Sequence, residues 1–457
     1  MCAAGIFAAA CLSQSLRAET TATAELQAEY ERLTSEYAQL TQGRRPERPA
    51  TGSLVFVAPD QYSNASKTSQ PVDDARREHA DALYNLAKRA ADGGQLSFAF
   101  QWATEAIREN PDHEDARRVL GYEQRDGKWL TRYGAKMFDS GKTWHPKYGW
   151  VAPEDVARYD AGERQIAGRW VLKSSDGNRR LSMADGWNVR TDHFQVTTNH
   201  SLEAAAELAA RLERLHQVWR QLFAGFYLGE REVGQLFAGE RDPRGQPRPF
   251  RVFYHRDRDD YVAALKSRQP RIGETLGIYF DAQREAHFFA GAEEDAGTLY
   301  HEAVHQLFQE SRSAAKRVGG TANFWIIEGV ACYFETLTEH RSPDGGLYFT
   351  VGEGTAGRLP GARERLKEGS YVPLAELLRL GKSDVQQRED IAKLYSQSAG
   401  LTALLIDGEQ GRYREPLVQY LEAVYAGRDD TTTLENVTGA SCPQLDDAYR
   451  RFMESLP

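Results

Sequence analysis

Little in this chain calls for a membrane span, a nucleic acid or a disulfide scaffold. Its 457 residues include four cysteines, at 2, 11, 332 and 442, too scattered for a disulfide framework. The apolar opening Met1–Leu12 (MCAAGIFAAACL) is too short to cross a bilayer. Acidic side chains (66) outnumber basic ones (57), and the net charge is −9. The basic footprint that nucleic acid or an anionic membrane requires is therefore missing. What is present, 41% hydrophobic and 27% charged residues, describes an ordinary globular protein long enough for two or three domains and a large core.

Met1–Leu12 followed by SQSLRAET fits the apolar region of a signal peptide, with cleavage after Ala18, although the usual basic residues before it are absent. The expectation is an exported protein: periplasmic, cell-envelope or extracellular. Ala8-Ala9-Ala10-Cys11 is a poor lipoprotein cleavage site, so lipidation at Cys11 is the lesser alternative. Cleavage leaves Cys332 and Cys442, one bridge at most; Cys332 reads as a small buried hydrophobe on a helix.

The chemistry concentrates in Tyr300–Glu310, YHEAVHQLFQE. Tyr300, Ala303, Val304, Leu307 and Phe308 recur at i, i+3, i+4, i+7 and i+8, the pattern of a helix with one face in a core. On that helix His301 and His305 stand one turn apart and can offer ring nitrogens to one metal ion. Glu302, one step round, can take the proton of a water on that ion. The plainer reading is two helix histidines satisfied by ordinary hydrogen bonds. Catalytic zinc takes three protein ligands. Asn323–His340, NFWIIEGVACYFETLTEH, is a nearly all-apolar helix with Glu328 in its middle. An ionised carboxylate there is costly unless a cation meets it. Glu328 is therefore the candidate third ligand, 22 residues lying between it and His305; the alternative is a buried salt bridge to an arginine.

HEAVHQLF followed by WIIEGVACYFE resembles the gluzincin metallopeptidases, the peptidase-MA-like group. His301, Glu302, His305, Gln306 and Phe308 match the first half of the aminopeptidase-N pattern. Trp325, Glu328, Gly329, Ala331, Tyr333 and Glu335 match the second. The resemblance implies one zinc ion per chain on His301, His305 and Glu328, with Glu302 as general base. It also implies an oxyanion donor on a later helix, for which Tyr395 in LYSQSAGLTALLID is the match and His340 the other donor in range. The gap between the halves is four residues longer than in that branch, and no G-A-M-E-N motif occurs, so aminopeptidase activity is not implied. Cys332 stands where thermolysin-like relatives carry an aspartate that orients a ligand histidine. The expected function is zinc-dependent peptide-bond hydrolysis, as an endopeptidase, on a peptide or protein substrate. The alternative is a gluzincin fold that retains zinc without turnover and binds a protein partner through its N-terminal helical region.

The rest of the chain divides by composition. Residues 19–76 read as a helix (Thr20–Gly43, with Leu26, Tyr30, Leu33, Tyr37 and Leu40 at spacings of three and four) and a Pro/Ser/Thr-rich linker holding one strand, Leu54–Val57. Residues 77–126 resemble one and a half tetratricopeptide repeats, too few for a free-standing array and better read as a packed helical hairpin. Residues 127–188 repeat Gly beside Trp, suggesting turns and short strands anchored by tryptophans, with a stacking surface for peptide or carbohydrate as the alternative. Residues 189–457 carry the metallopeptidase pattern. The expected architecture is α+β: a zincin-like domain of small sheet, active-site helix and helical C-terminal part.

Overall fold

The computed structural model describes residues 23–40, 54–57, 73–242, 248–341 and 347–456. The expected leader at 1–18, with Cys11, lies outside these, as does most of the linker. Within them the chain is a mixed α and β structure, mainly helical with small sheets. No described helix is long and apolar enough to cross a membrane.

Helix α1 (23–40) buries Leu26, Tyr30 and Tyr37, while Leu40, on the same sequence stripe, is 77% exposed. Strand β1 (Leu54–Val57) is the one strand expected in the linker. Helices α2 (Asp74–Asp92) and α3 (Leu96–Glu109) then form the hairpin. Asp73 caps α2 by accepting the Arg76 N–H, and Gly94 at φ 74° turns the chain back. Helix α1 lies against this pair: the Tyr30 hydroxyl donates to the Glu105 carboxylate at 2.8 Å and its ring stacks on Trp102, while Tyr37 stacks on His79.

The Trp/Gly segment resolves into three successive β-hairpins, 122–131, 143–151 and 163–172, each followed by a short helix. Trp129, Trp150 and Trp170 sit on the second strand of each, 21 and 20 residues apart. Gly121, Gly141 and Gly162 precede the first strands at positive φ. This is a tandem repeat, and the boundary drawn at 126/127 falls in the turn of its first hairpin. The tryptophans are partly buried and packed, Trp150 against Trp144 and Trp170 under Arg158, as anchors rather than an open stacking surface.

Strands β2 (Trp187–Arg190) and β3 (Phe194–Thr198) lead into α4 (Leu202–Leu222), capped by Ser201, whose hydroxyl accepts the Ala204 N–H. Strands β4 (Phe250–His255), β5 (Ile278–Phe280) and β6 (Glu285–Phe289) complete a five-stranded sheet in the order β5-β6-β4-β3-β2. Its centre is parallel, its two edges antiparallel. Val196, Val252 and Ala286, each wholly buried, stand in register across it. They share one core with α4, with α5 (Ala296–Ser311) and with α6 (Phe324–Phe334). Strands β7 (Thr338–Arg341) and β8 (Leu347–Val351) pair with each other, and β1 adds to the free edge of β8, burying Phe56. Helices α7 (Ile391–Asp407) and α8 (Arg414–Ala426) back α6. Cys332 and Cys442 are both buried and free, so no bridge forms.

The hairpin is docked on the C-terminal helices by buried charge. The Ser97 N–H donates to Glu415 Oε1 at 2.7 Å. Arg414 donates to the Ile406 carbonyl and to Gln101 Oε1, and its guanidinium lies 4.5 Å over Phe98. Burial pushes the Glu415 carboxyl up to about 7, against the Ser97 N–H and Arg414. A carboxyl raised on folding stabilises the fold fully below its ordinary range, and that contribution is lost as pH climbs through about 7. Thermal stability is therefore expected to drop between pH 6 and 8, by about 1 kcal/mol from this group. Glu415→Gln, which keeps an acceptor for Ser97, should flatten that slope; equal slopes in melting curves would show that Glu415 does not titrate there.

Candidate metal centre and catalytic cleft

Helix α5 presents the first pair of candidate ligands. Asp295 caps it by accepting the Thr298 N–H at 2.6 Å, and its apolar stripe Ala303, Val304, Leu307 and Phe308 is wholly buried. Beside this stripe stand His301 and His305, with their Nε2 atoms 3.1 Å apart and their rings nearly perpendicular.

Helix α6 brings the third. It starts at Asn323, a buried residue in the left-handed conformation (φ 56°). Its side chain donates to Asp429 at 2.7 Å and accepts from the Tyr420 hydroxyl at 2.7 Å. Gly329 lets α6 and α7 touch: a Cβ there would stand 2.4 Å from Thr402 Oγ1 and 2.8 Å from the Ser398 carbonyl. That contact fixes the neighbouring Glu328, whose Oε2 lies 3.4 Å from His301 Nε2 and 3.7 Å from His305 Nε2.

Three donors at about 2.1 Å from one tetrahedral ion would be about 3.4 Å apart. The observed 3.1, 3.4 and 3.7 Å bracket that value, and two imidazoles with a carboxylate suit zinc. Electrostatics agree with the geometry. Burial pushes the Glu328 carboxyl up, but the His305 and His301 imidazoles outweigh it and hold the group below the ordinary carboxylate range. Glu328 is thus kept in the ionised form that ligation needs. Its expected alternative, a salt bridge to arginine, is not what the structure contains; the imidazoles are its ion partners.

The group that orients His301 is Glu335, a residue matched in the sequence pattern but given no role there. Its Oε1 lies 2.9 Å from His301 Nδ1, which fixes the tautomer and leaves Nε2 to face the cluster. Arg358 Nε in turn donates to both Glu335 oxygens at 2.9 and 3.0 Å. Cys332, at the position where the thermolysin-like pattern has an aspartate, packs with its sulfur 3.9 Å from the same Nδ1. The residue seven on from Glu328 returns to the same helix face after two turns, and that spacing was the available signal.

Glu302 points to the sheet. Its carboxylate accepts the Tyr279 N–H at 2.8 Å, which ties it to β5, the edge strand, while β6 lies one strand in. Burial raises the Glu302 carboxyl above its ordinary value, with His301 and His305 pulling the other way. Tyr395, on the first turns of α7, comes alongside. Burial and then the Glu328 carboxylate push its phenol well up, so it remains a proton donor, and Arg358 lies 5.7 Å from its ring centre. The structure therefore gathers His301, Glu302, His305, Glu328 and Tyr395. His340 is committed elsewhere: it stands on β7 with Nε2 2.8 Å from Thr350 Oγ1 and its ring stacked on Tyr348.

Set against protein-family models and against curated proteins, the chain matches none.

Two substitutions probe this arrangement. Gly329→Ala should cost about 1–3 kcal/mol of stability by forcing α6 off α7, read by denaturant unfolding, and should weaken metal binding by displacing Glu328. Glu335→Gln should leave stability nearly unchanged while lowering zinc affinity about 10–100-fold; an unaltered affinity in a competitive chelator titration would remove its orienting role.

Proposed function

We propose that the protein is a zinc-dependent peptidase of gluzincin type, cutting within peptide or protein chains, with a zincin-like α+β catalytic part. The observation that carries this reading is the convergence of His301, His305 and Glu328 donor atoms within 3.7 Å of one another. Zinc held by these residues would supply Lewis acidity, bringing the pKa of a water to about 7 and polarising the substrate carbonyl.

The chain's own groups do the rest. Glu302 takes the proton of the attacking water and hands it to the leaving amine. Its grip on the Tyr279 N–H sets the carboxylate at the sheet edge, where an extended substrate backbone would lie alongside β5. The Tyr395 phenol, kept protonated, donates to the oxygen that gains charge as the carbonyl becomes tetrahedral. Glu335 and Arg358 keep His301 from turning. The wall of the cleft being a strand edge, and the sequence lacking a motif that grips a free amino terminus, the reading is endopeptidase cleavage. Passage through the expected leader would place this activity outside the cytoplasm.

Glu302→Gln should keep one zinc per chain and lose about 10²–10⁴-fold in turnover of an unstructured protein substrate. Tyr395→Phe should keep zinc and lower kcat about 10²–10³-fold. Undiminished hydrolysis by the Glu302 variant would overturn the mechanism. Zinc bound by the wild type with no hydrolysis of any peptide, chelated or not, would leave the scaffold reading in its place.

A further inference from the structure

A cation with most of its donors unengaged stands beside the candidate metal cluster. Arg358 follows Gly357, which takes φ 54° and packs closely on the end of α6: a Cβ there would stand 2.8 Å from Thr336 Cγ2. It immediately precedes the helix Leu359–Lys367, so its backbone is held from both sides. Its Nε donates to the two oxygens of Glu335 at 3.0 and 2.9 Å. A guanidinium whose whole task was to hold Glu335 would set its two-pronged edge against that carboxylate. Here Nε alone is engaged. Neither Nη has an acceptor among the described residues, and neither is sealed from solvent.

The carboxylates nearby do not claim these donors. Glu302 accepts the Tyr279 N–H, Glu328 faces the two imidazoles, and Glu335 is taken by His301 and by Arg358 Nε. The Arg358 side chain is 34% exposed against 14% for Glu335, so the outer part of the pair is the guanidinium. Its Cζ lies 5.7 Å from the ring centre of Tyr395, and its charge acts on Tyr395 as well as on Glu328 and Glu335. An arginine is a permanent cation, and its planar Nη pair matches the two oxygens of a carboxylate better than one carbonyl oxygen.

We propose that Arg358 is a substrate-binding residue whose free Nη edge takes a carboxylate of the bound peptide, either an acidic side chain beside the bond to be cut or a free chain end close to it. The assignment rests on the reading of the cleft as a peptidase site. Tyr395, donating to the scissile carbonyl, puts that carbonyl on the Arg358 side, and at about 3.5 Å per residue the next residue of an extended peptide comes within reach. Through Nε, Arg358 positions Glu335 and so His301; through Nη it touches substrate.

The test is peptide binding, followed by fluorescence anisotropy, on the full zinc-loaded chain carrying Glu302→Gln, which holds peptides without cutting them. A neutral peptide amidated at its end is compared with versions carrying Glu for Gln at each central position in turn, and with one ending in a free acid. The best-placed carboxylate should tighten binding about 10–100-fold. A gain from an internal Glu identifies the group as a side chain; a gain from the free acid identifies it as a chain end. Arg358→Gln should abolish the gain, and Arg358→Lys, a charge without a fork, should reduce it to a few-fold. Glu335→Gln, which loosens His301 but leaves the guanidinium, should retain it, which separates the effect from metal loss. The proposal is overturned if no carboxylate gives a gain, if the gain survives Arg358→Gln, or if Glu335→Gln removes it. Turnover of the same peptides by the wild type is scored apart. Cleavage without carboxylate preference removes the Arg358 site and leaves the peptidase, whereas carboxylate preference with no cleavage of any peptide does the reverse.

Discussion

The rest of this region depends on a carboxylate, Glu328, that is only 8% exposed. Glu328 lies in the middle of a helix that is otherwise buried along its whole length, and burial alone would drive it to the neutral form. What holds it below the ordinary carboxylate range is the pair of imidazoles on α5. The surrounding features serve the same end. Asn323 starts α6 with a side chain that no exposed residue would need, Gly329 removes the one Cβ that would hold α6 away from α7, and Glu335 stops His301 from turning its other nitrogen inward. Remove the charge at 328 and these become expensive ways to pack a helix.

A series of buried polar groups runs from this region to the N-terminal helices. Tyr333, on the helix of Glu328, donates to Asp407, at the end of the helix of Tyr395. Asp407, raised to about 7 by burial, faces Arg414, which reaches Gln101; Gln101 reaches Glu105, and Glu105 holds Tyr30 of α1. Every member is hydrogen-bonded, the condition under which a buried polar network rigidifies rather than weakens a core. Helices α6 and α7 are therefore braced from behind by a part of the chain remote in sequence.

How much of this could be read from the residues alone varies with the range of the interaction. His301, Glu302 and His305 are legible because a helix repeats every 3.6 residues, and Glu328 because a lone charge on an apolar helix needs an explanation. The strands from Phe194 to Phe289 and the Ser201 cap follow from alternation and capping chemistry, which are local. The partner of His301 was not legible: Glu335 is 34 residues away, and its role exists only once two helices pack. The hairpin repeat hid behind irregular loop lengths, although the glycines at 121, 141 and 162 keep its period. Leu40 illustrates the opposite error: it shares the periodic stripe of Leu26, Tyr30 and Tyr37 yet is 77% exposed.

The strand borrowed by β8 has a consequence for how such a protein can be inherited. Because β1 supplies the outer strand of the sheet beside the cleft, and Arg414 and Glu415 find their partners on α3, the first hundred or so residues are not an appendage that recombination could exchange. A chain cut at the start of β2 would present an unpaired strand edge and two stranded charges, features that favour aggregation over folding. Descent should therefore pass the helical region and the catalytic region on together, each constraining which substitutions the other tolerates.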